Sequence, residues 1–196
     1  MLKEKLKKHK IILASGSPRR QDFFTKLDID FTIDVREVEE VFDDSLKREA
    51  ITDYLSQLKA NAFQNISEKE IIVTSDTIVW KDGKAIGKPK DAEDATRMLR
   101  SLSNAMHEVF TSVTFTTAAG QTTVNDTTKV WFKKLTNEEI TFYITTCIPF
   151  DKAGSYGIQD WLGYIGIEKI EGCFFNVMGL PTRKVYEGLI AIANNN

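Results

Sequence analysis

The chain has 196 residues, enough for one domain or for two small lobes that share a core. Hydrophobic residues make up 42% and charged residues 28%, so a substantial core can be buried and general disorder is excluded. A formal net charge of −2 excludes a strongly basic nucleic-acid platform while leaving room for a local basic pocket.

In chain order, the opening "MLKEKLKKHK" is basic, lacks the apolar region of a signal peptide, and reads as a solvated N-terminal extension over residues 1–10. "KIILAS" reads as a buried strand. A helix follows from Pro18 to about Leu27, with Ser17 as its cap, Pro18 at its first position and Phe23, Phe24 and Leu27 inward. "DFTIDVREVEE" alternates like a strand and ends acidic, and a helix is expected over Leu46 to Ala62. "EIIVTSDTIVW" is the strongest strand, and the Asp-Gly turn in "KDGK" makes it the first arm of a hairpin into "AIGKP".

Asp91 is placed to cap the next helix, whose buried stripe is Ala92, Ala95, Leu99 and Leu102. "HEVFTSVTFTT" and "TTKVWFKKL" suit antiparallel pairing, and Thr136 with Glu139 forms a capping box that opens another helix. The last third mixes glycines with short strands and closes with the helix "TRKVYEGLIAIA". Strands and helices interleave throughout, so the class is α/β or mixed α+β. No apolar run approaches the roughly 20 residues that span a bilayer. The only cysteines, Cys147 and Cys173, suit reduced thiols in a cytosolic protein better than a disulfide framework or a zinc knuckle.

Candidate chemistry begins at "LASGSPRR". A strand, a tight glycine-containing turn and a helix start are how proteins cradle phosphate, since free backbone N–H groups converge there. Arg19 and Arg20 stand at the positive pole of that helix, where a cation is disfavoured unless an anion occupies the turn. In "VTSDT", Asp76 interrupts an apolar strand; such a carboxylate needs a cation, a metal or a catalytic duty, or else the strand bends outward and leaves it solvated. Glu37, Glu39 and Glu40 form an acidic run that is either a wet loop or, if brought near Asp76, a source of oxygen ligands for Mg²⁺ or Mn²⁺. Lys59, Lys88 and Lys152 sit in constrained settings that suit point-charge contacts to phosphate, although each alone reads as a surface lysine. His107 reads as a structural hydrogen bonder, and Trp80, Trp131 and Trp161 as core or interface material.

Taken in order, "LASGSPRR", "EVEE", "SDTIVWKDGKAIGKPKDAEDATRMLRSLS", "DKAGSYGIQ" and "NVMGLP" resemble the Maf-like nucleoside triphosphate pyrophosphatases, the septum-formation-inhibitor family, over about residues 11–190. The resemblance treats residues 1–196 as a single Maf-like domain: a two-lobed mixed sheet flanked by helices around a deep cleft, similar to the inosine triphosphate pyrophosphatases. It implies hydrolysis of dTTP or UTP to the monophosphate and pyrophosphate with a divalent metal, Mg²⁺ or Mn²⁺. Such proteins are usually cytoplasmic and often homodimeric, with neither nucleic acid nor membrane as partner. By the resemblance Asp76 is the proton acceptor, Arg19, Thr77 and Gln159 set substrate choice, and Ser15, Arg19, Arg20, Lys59, Lys88 and Lys152 line the polar cleft that takes the phosphates. Glu39, with Asp76, is the expected metal ligand.

This chain departs from the family pattern at Asn104 and Asp160, where glycine is common, and at Cys173, where aspartate is common. The rival readings are a non-catalytic nucleotide-binding regulator of septum formation and a scavenger of modified pyrimidine triphosphates.

Overall fold

The computed structural model describes residues 1–195. Helix α1 (Leu2–Leu6) precedes strand β1 (Lys10–Leu13), helix α2 (Pro18–Lys26), strand β2 (Phe31–Ile33) and helix α3 (Glu49–Asn61). Strands β3 (Glu70–Lys81) and β4 (Lys84–Ile86) lead to helix α4 (Ala92–Leu102), then to strands β5 (Met106–Thr117) and β6 (Gly120–Phe132). Helix α5 (Asn137–Cys147) is followed by short 3₁₀ turns at Pro149–Asp151 and Ala153–Ser155. Helix α6 (Trp161–Gly166), strand β7 (Ile167–Glu171) and helices α7 (Phe174–Val177) and α8 (Thr182–Asn195) complete the chain. The class is mixed α/β.

The strands form a seven-stranded mixed sheet among the described residues, in the order β2-β1-β3-β5-β6-β7, with β4 paired to β3. β1 pairs in parallel with β2 and with β3, whereas β3/β4 and β6/β7 are antiparallel. The β5–β6 connection spans only Ala118 and Ala119, too short for anything but antiparallel pairing. Asp82 (φ 50°) and Gly83 (φ 77°) both take positive φ, as the hairpin turn into β4 demands. None of the described helices is long and apolar enough to cross a membrane.

Most sequence signals act locally as read. The Asp91 side chain accepts from the Asp94 N–H at 2.7 Å, and Thr136 and Glu139 make both bonds of the capping box. Asn104 holds a φ of 54°, a left-handed conformation that Asn tolerates. Other expectations are corrected. Ser17 is the N-cap residue of α2, but its side chain makes no cap bond. The basic extension is not wholly solvated, because Leu2 and Leu6 are buried. Their four-residue spacing gives an otherwise charged segment one apolar stripe. β2 stops at Ile33, although the alternation runs on to Glu40. Among the described residues its only strand neighbour is β1, and that pairing ends at Leu13↔Ile33, where the turn into α2 begins. α3 starts at Glu49 instead of Leu46, since Arg48 at φ 56° cannot continue a helix.

The chain divides into two compact units. The first comprises Met1–Asp76, Thr111–Asp126 and the chain from Gly179 onward; the second comprises Thr77–Phe110 and Thr127–Met178. In the first unit α3 meets the sheet through hydroxyls: Thr52 Oγ1 lies 2.6 Å from Ser112 Oγ, and Ser56 Oγ lies 2.9 Å from Thr114 Oγ1, all four residues fully buried. Gly188 lets α8 approach Phe115, since a Cβ there would lie 2.6 Å from the ring. The second unit is built on Leu99, Leu102, Val109, Val130, Phe132 and Tyr143. Within it His107 Nε2 lies 2.6 Å from Tyr156 Oη, the structural bond expected of that histidine.

Candidate active site

The sequence-predicted residues fall into two groups, one in each unit. The first is organised by Asp76, only 7% exposed near the middle of β3. Its burial follows from the strand around it, since Ile71, Ile72, Val73, Ile78 and Val79 are all buried. A carboxylate withdrawn from water needs a counter-charge, and the Lys59 ammonium on α3 donates to Asp76 Oδ1 at 2.6 Å. The same ammonium lies 3.2 Å from Glu40 Oε1, so one lysine holds two carboxylates. Asp76 is thus not the solvated residue of an outward-bent strand.

The Ser15–Arg20 turn belongs to the same unit. The Arg20 guanidinium donates to the Ser75 carbonyl at 2.9 Å and to the Gly179 carbonyl at 2.8 Å, with Ser15 Oγ at 3.5 Å. Arg20 therefore braces the turn against the strand that carries Asp76. Burial lowers its pKa, the negative charges of Asp76 and Glu40 oppose that effect, and the positive charge of Arg19 adds to it. The Ser15 hydroxyl accepts from the Ser17 N–H at 3.3 Å, and Gln21 Nε2 donates to the Ser15 carbonyl at 3.2 Å. Ser15 is buried and Arg19 half-buried.

The second group lies in the other unit. Thr77, half-buried, directly follows Asp76 in β3, so their side chains leave the strand on opposite faces. Lys88 is exposed in the link from β4 to α4, and the carbonyl of its neighbour Gly87 accepts from the Gly154 N–H at 2.9 Å. Gly154 takes φ +68° with Val79 Cγ2 only 2.9 Å from where a Cβ would stand, so that turn requires glycine. Lys152 is mostly buried and lies 2.7 Å from Asp151 and 3.5 Å from Asp160. Gln159 donates from Nε2 to Asp160 Oδ1 at 3.1 Å, while its buried Oε1 has no hydrogen-bond partner among the described residues.

Ser15, Arg20, Lys59 and Asp76 are thus brought together in the first unit, and Lys152 and Gln159 in the second. Glu39 is exposed, and its neighbour Glu40 makes the contact to Lys59. The acidic run Glu37, Glu39 and Glu40 was a candidate as a group, but Glu39 was the member singled out from it, and Glu40 is the one that meets Lys59. Asp160 and Tyr143 were missed; the break from the family pattern at position 160 was the available signal.

The chain matches the family model described as Maf-like protein over residues 10–192. It belongs to the Maf family. A relative from Flavobacterium johnsoniae, named dTTP/UTP pyrophosphatase, is 58% identical over 98% of this chain and 100% of its own length. A second, from Christiangramia forsetii and bearing the same name, is 56% identical over 100% of both chains. Among solved structures, the Ham1 protein of Staphylococcus aureus aligns with 63% of the Maf chain and 71% of its own at a TM-score of 0.42 and 15% identity.

Proposed function

We propose that this chain is a nucleoside triphosphate pyrophosphatase that hydrolyses dTTP and UTP to the monophosphate and pyrophosphate. The buried Asp76, paired to Lys59 and through it to the exposed Glu40, beside the arginine-braced turn, is the observation that carries this reading, and the relatives' shared name agrees with it.

Asp76 accepts a proton from water as the water oxygen attacks at the α–β anhydride. The bridging bond breaks, and its electron pair leaves with pyrophosphate. Hydrolysis of this kind depends on positioning and on neutralising charge, which is the part assigned to the cations. Arg19 and the N–H groups of the Ser15–Arg20 turn take phosphoryl oxygens, and Arg20 keeps that turn in place. Lys59, Lys88 and Lys152 offset the remaining negative charge. Gln159 reads the base, accepting from the ring N3–H of uracil or thymine and donating to a ring carbonyl. Arg19 and Thr77 are assigned to substrate choice with it.

The donor set fits a divalent cation of the Mg²⁺ or Mn²⁺ type. Asp76 and Glu40 already hold one cation, the Lys59 ammonium, through hard carboxylate oxygens. The described residues contain no cluster of three His, Cys, Asp or Glu that could hold a metal. Mg²⁺ takes one or two carboxylates and completes its shell with water and substrate phosphate. Asp76 with Glu40 or Glu39 would hold the ion, which when bound would polarise the phosphoryl oxygens. Cytoplasmic residence and a homodimeric assembly belong to the same proposal.

The test is pyrophosphate release from a panel of ordinary and modified nucleoside triphosphates, with and without Mg²⁺. Release from dTTP and UTP ahead of the purine nucleotides is expected. Release from none of them would favour a nucleotide-binding regulator instead.

A further inference from the structure

The side chain of Asp160, the residue after Gln159, makes three contacts, all within one unit. Its Oδ2 accepts the Tyr143 hydroxyl proton at 3.0 Å and lies 3.5 Å from the Lys152 ammonium. Its Oδ1 accepts from Gln159 Nε2 at 3.1 Å. Tyr143 Oη in turn accepts the Gly157 N–H at 3.0 Å, which ties the start of the Gly157–Asp160 segment to the same group. Gly157 leaves the room: a Cβ there would lie 2.5 Å from Asp160 Oδ2 and 2.7 Å from Gln159 Nε2.

A carboxylate can only accept hydrogen bonds, and a carboxamide has a donating end and an accepting end. Turning the Gln159 amide over would set Oε1 against Asp160 Oδ1, two acceptors with no proton between them. The observed orientation sends Nε2 to Asp160 and leaves Oε1 buried without a partner among the described residues. An orphaned buried acceptor is costly and is satisfied by a ligand that brings a donor.

We propose that Asp160 is a base-specificity residue: it fixes which way round the Gln159 carboxamide stands, so that the pocket selects pyrimidines carrying an N3–H and rejects cytosine. The inference rests on the assignment of Gln159 as the base reader. Uracil and thymine offer an N–H for Oε1 and, beside it, a carbonyl for the second Nε2 hydrogen. Cytosine presents a bare ring nitrogen where they carry the N–H, and an amino group where they carry the carbonyl. In the same position it would need the amide reversed. Asp160 acts here through Gln159, as a positioning residue.

The experiment compares kcat/KM for UTP and CTP in the wild type, Asp160→Gly, Asp160→Asn and Gly157→Ala. The first removes the lock. The second replaces the carboxylate with a group that can face either end of the amide. The third pushes the Asp160 and Gln159 side chains apart while keeping both. The UTP-to-CTP preference is expected to fall at least about tenfold in Asp160→Gly and to fall in the other two. Loss of rate by the same factor on both nucleotides, with the preference intact, would overturn the proposal and leave Asp160 a merely stabilising residue. Should Asp160→Gly not fold, the other two variants decide by the same criterion. A wild type that turns over neither nucleotide would sink the enzyme reading; UMP and CMP binding by calorimetry then tests the lock, with the same loss of discrimination expected.

Discussion

Asp76 and Asp160 are both drawn back from water, Asp76 to 7% exposure and Asp160 to a half-buried position, but different partners hold them. Asp76 is bonded to a flexible ammonium, Lys59, which also serves Glu40. Asp160 is matched by directional donors, a phenol and a carboxamide, with Lys152 further off at 3.5 Å. A point charge on a four-carbon stem neutralises without dictating geometry, whereas hydroxyl and amide donors fix the orientation of what they touch. The first arrangement suits a carboxylate whose partner must change as substrate arrives, and the second suits a frame that must not move.

The largest effect should come from Lys59→Met. It removes the ammonium bonded to Asp76 and leaves the charge of Arg20; breaking a buried pair costs about 3–5 kcal/mol, and the part-exposed lysine and the remaining arginine place the effect near the lower end. Urea unfolding at pH 7 measures it, and a loss below about 1 kcal/mol would put Lys59 on a par with an exposed pair.

His107 sharpens the contrast, because it is buried against a hydroxyl, Tyr156 Oη, and not against a carboxylate. Burial first, and the positive charge of Lys81 second, push its pKa down from 6.5 to about 3. The unfolded chain therefore binds the proton more readily. Stability is full above about pH 6.5 and falls as the pH drops toward 3, by at most about 1.4 kcal/mol per unit. Unfolding at pH 7 and at pH 5 should show that slope in the wild type and a shallower one in His107→Gln. Equal slopes would assign the acid sensitivity elsewhere.

Tyr143→Phe is the mildest change. It removes one donor to Asp160 and the acceptor of the Gly157 N–H, for about 1–2 kcal/mol. Burial raises the phenol's pKa well above its ordinary value, so the cost should be the same at pH 7 and pH 9. A cost that disappears at pH 9 would mean the phenol is already ionising there.

Local features of the fold were legible wherever neighbouring residues decide them. The Asp91 cap, the Thr136–Glu139 box and the Asp82-Gly83 turn need only partners within a few positions. Asp76 stood out because a carboxylate in an apolar strand contradicts its surroundings. What could not be read was which side chain meets it. β2 ends at Ile33, so no strand alternation tells Glu39 from Glu40, and only the path of the following loop brings Glu40 to Lys59. Arg19 and Arg20 were equivalent in sequence, yet Arg20 turns onto the Ser75 and Gly179 carbonyls, the latter contributed from 159 positions away. The free Oε1 of Gln159 depends on an amide orientation that composition and spacing do not encode.

Turnover of dTTP by Asp76→Asn tests the central claim most directly, with circular dichroism confirming that the variant is folded. Asparagine keeps the shape of the side chain and cannot take the proton from water. Pyrophosphate release at least about a hundredfold slower than wild type is expected. Release within a few-fold of wild type from a folded variant would contradict the account.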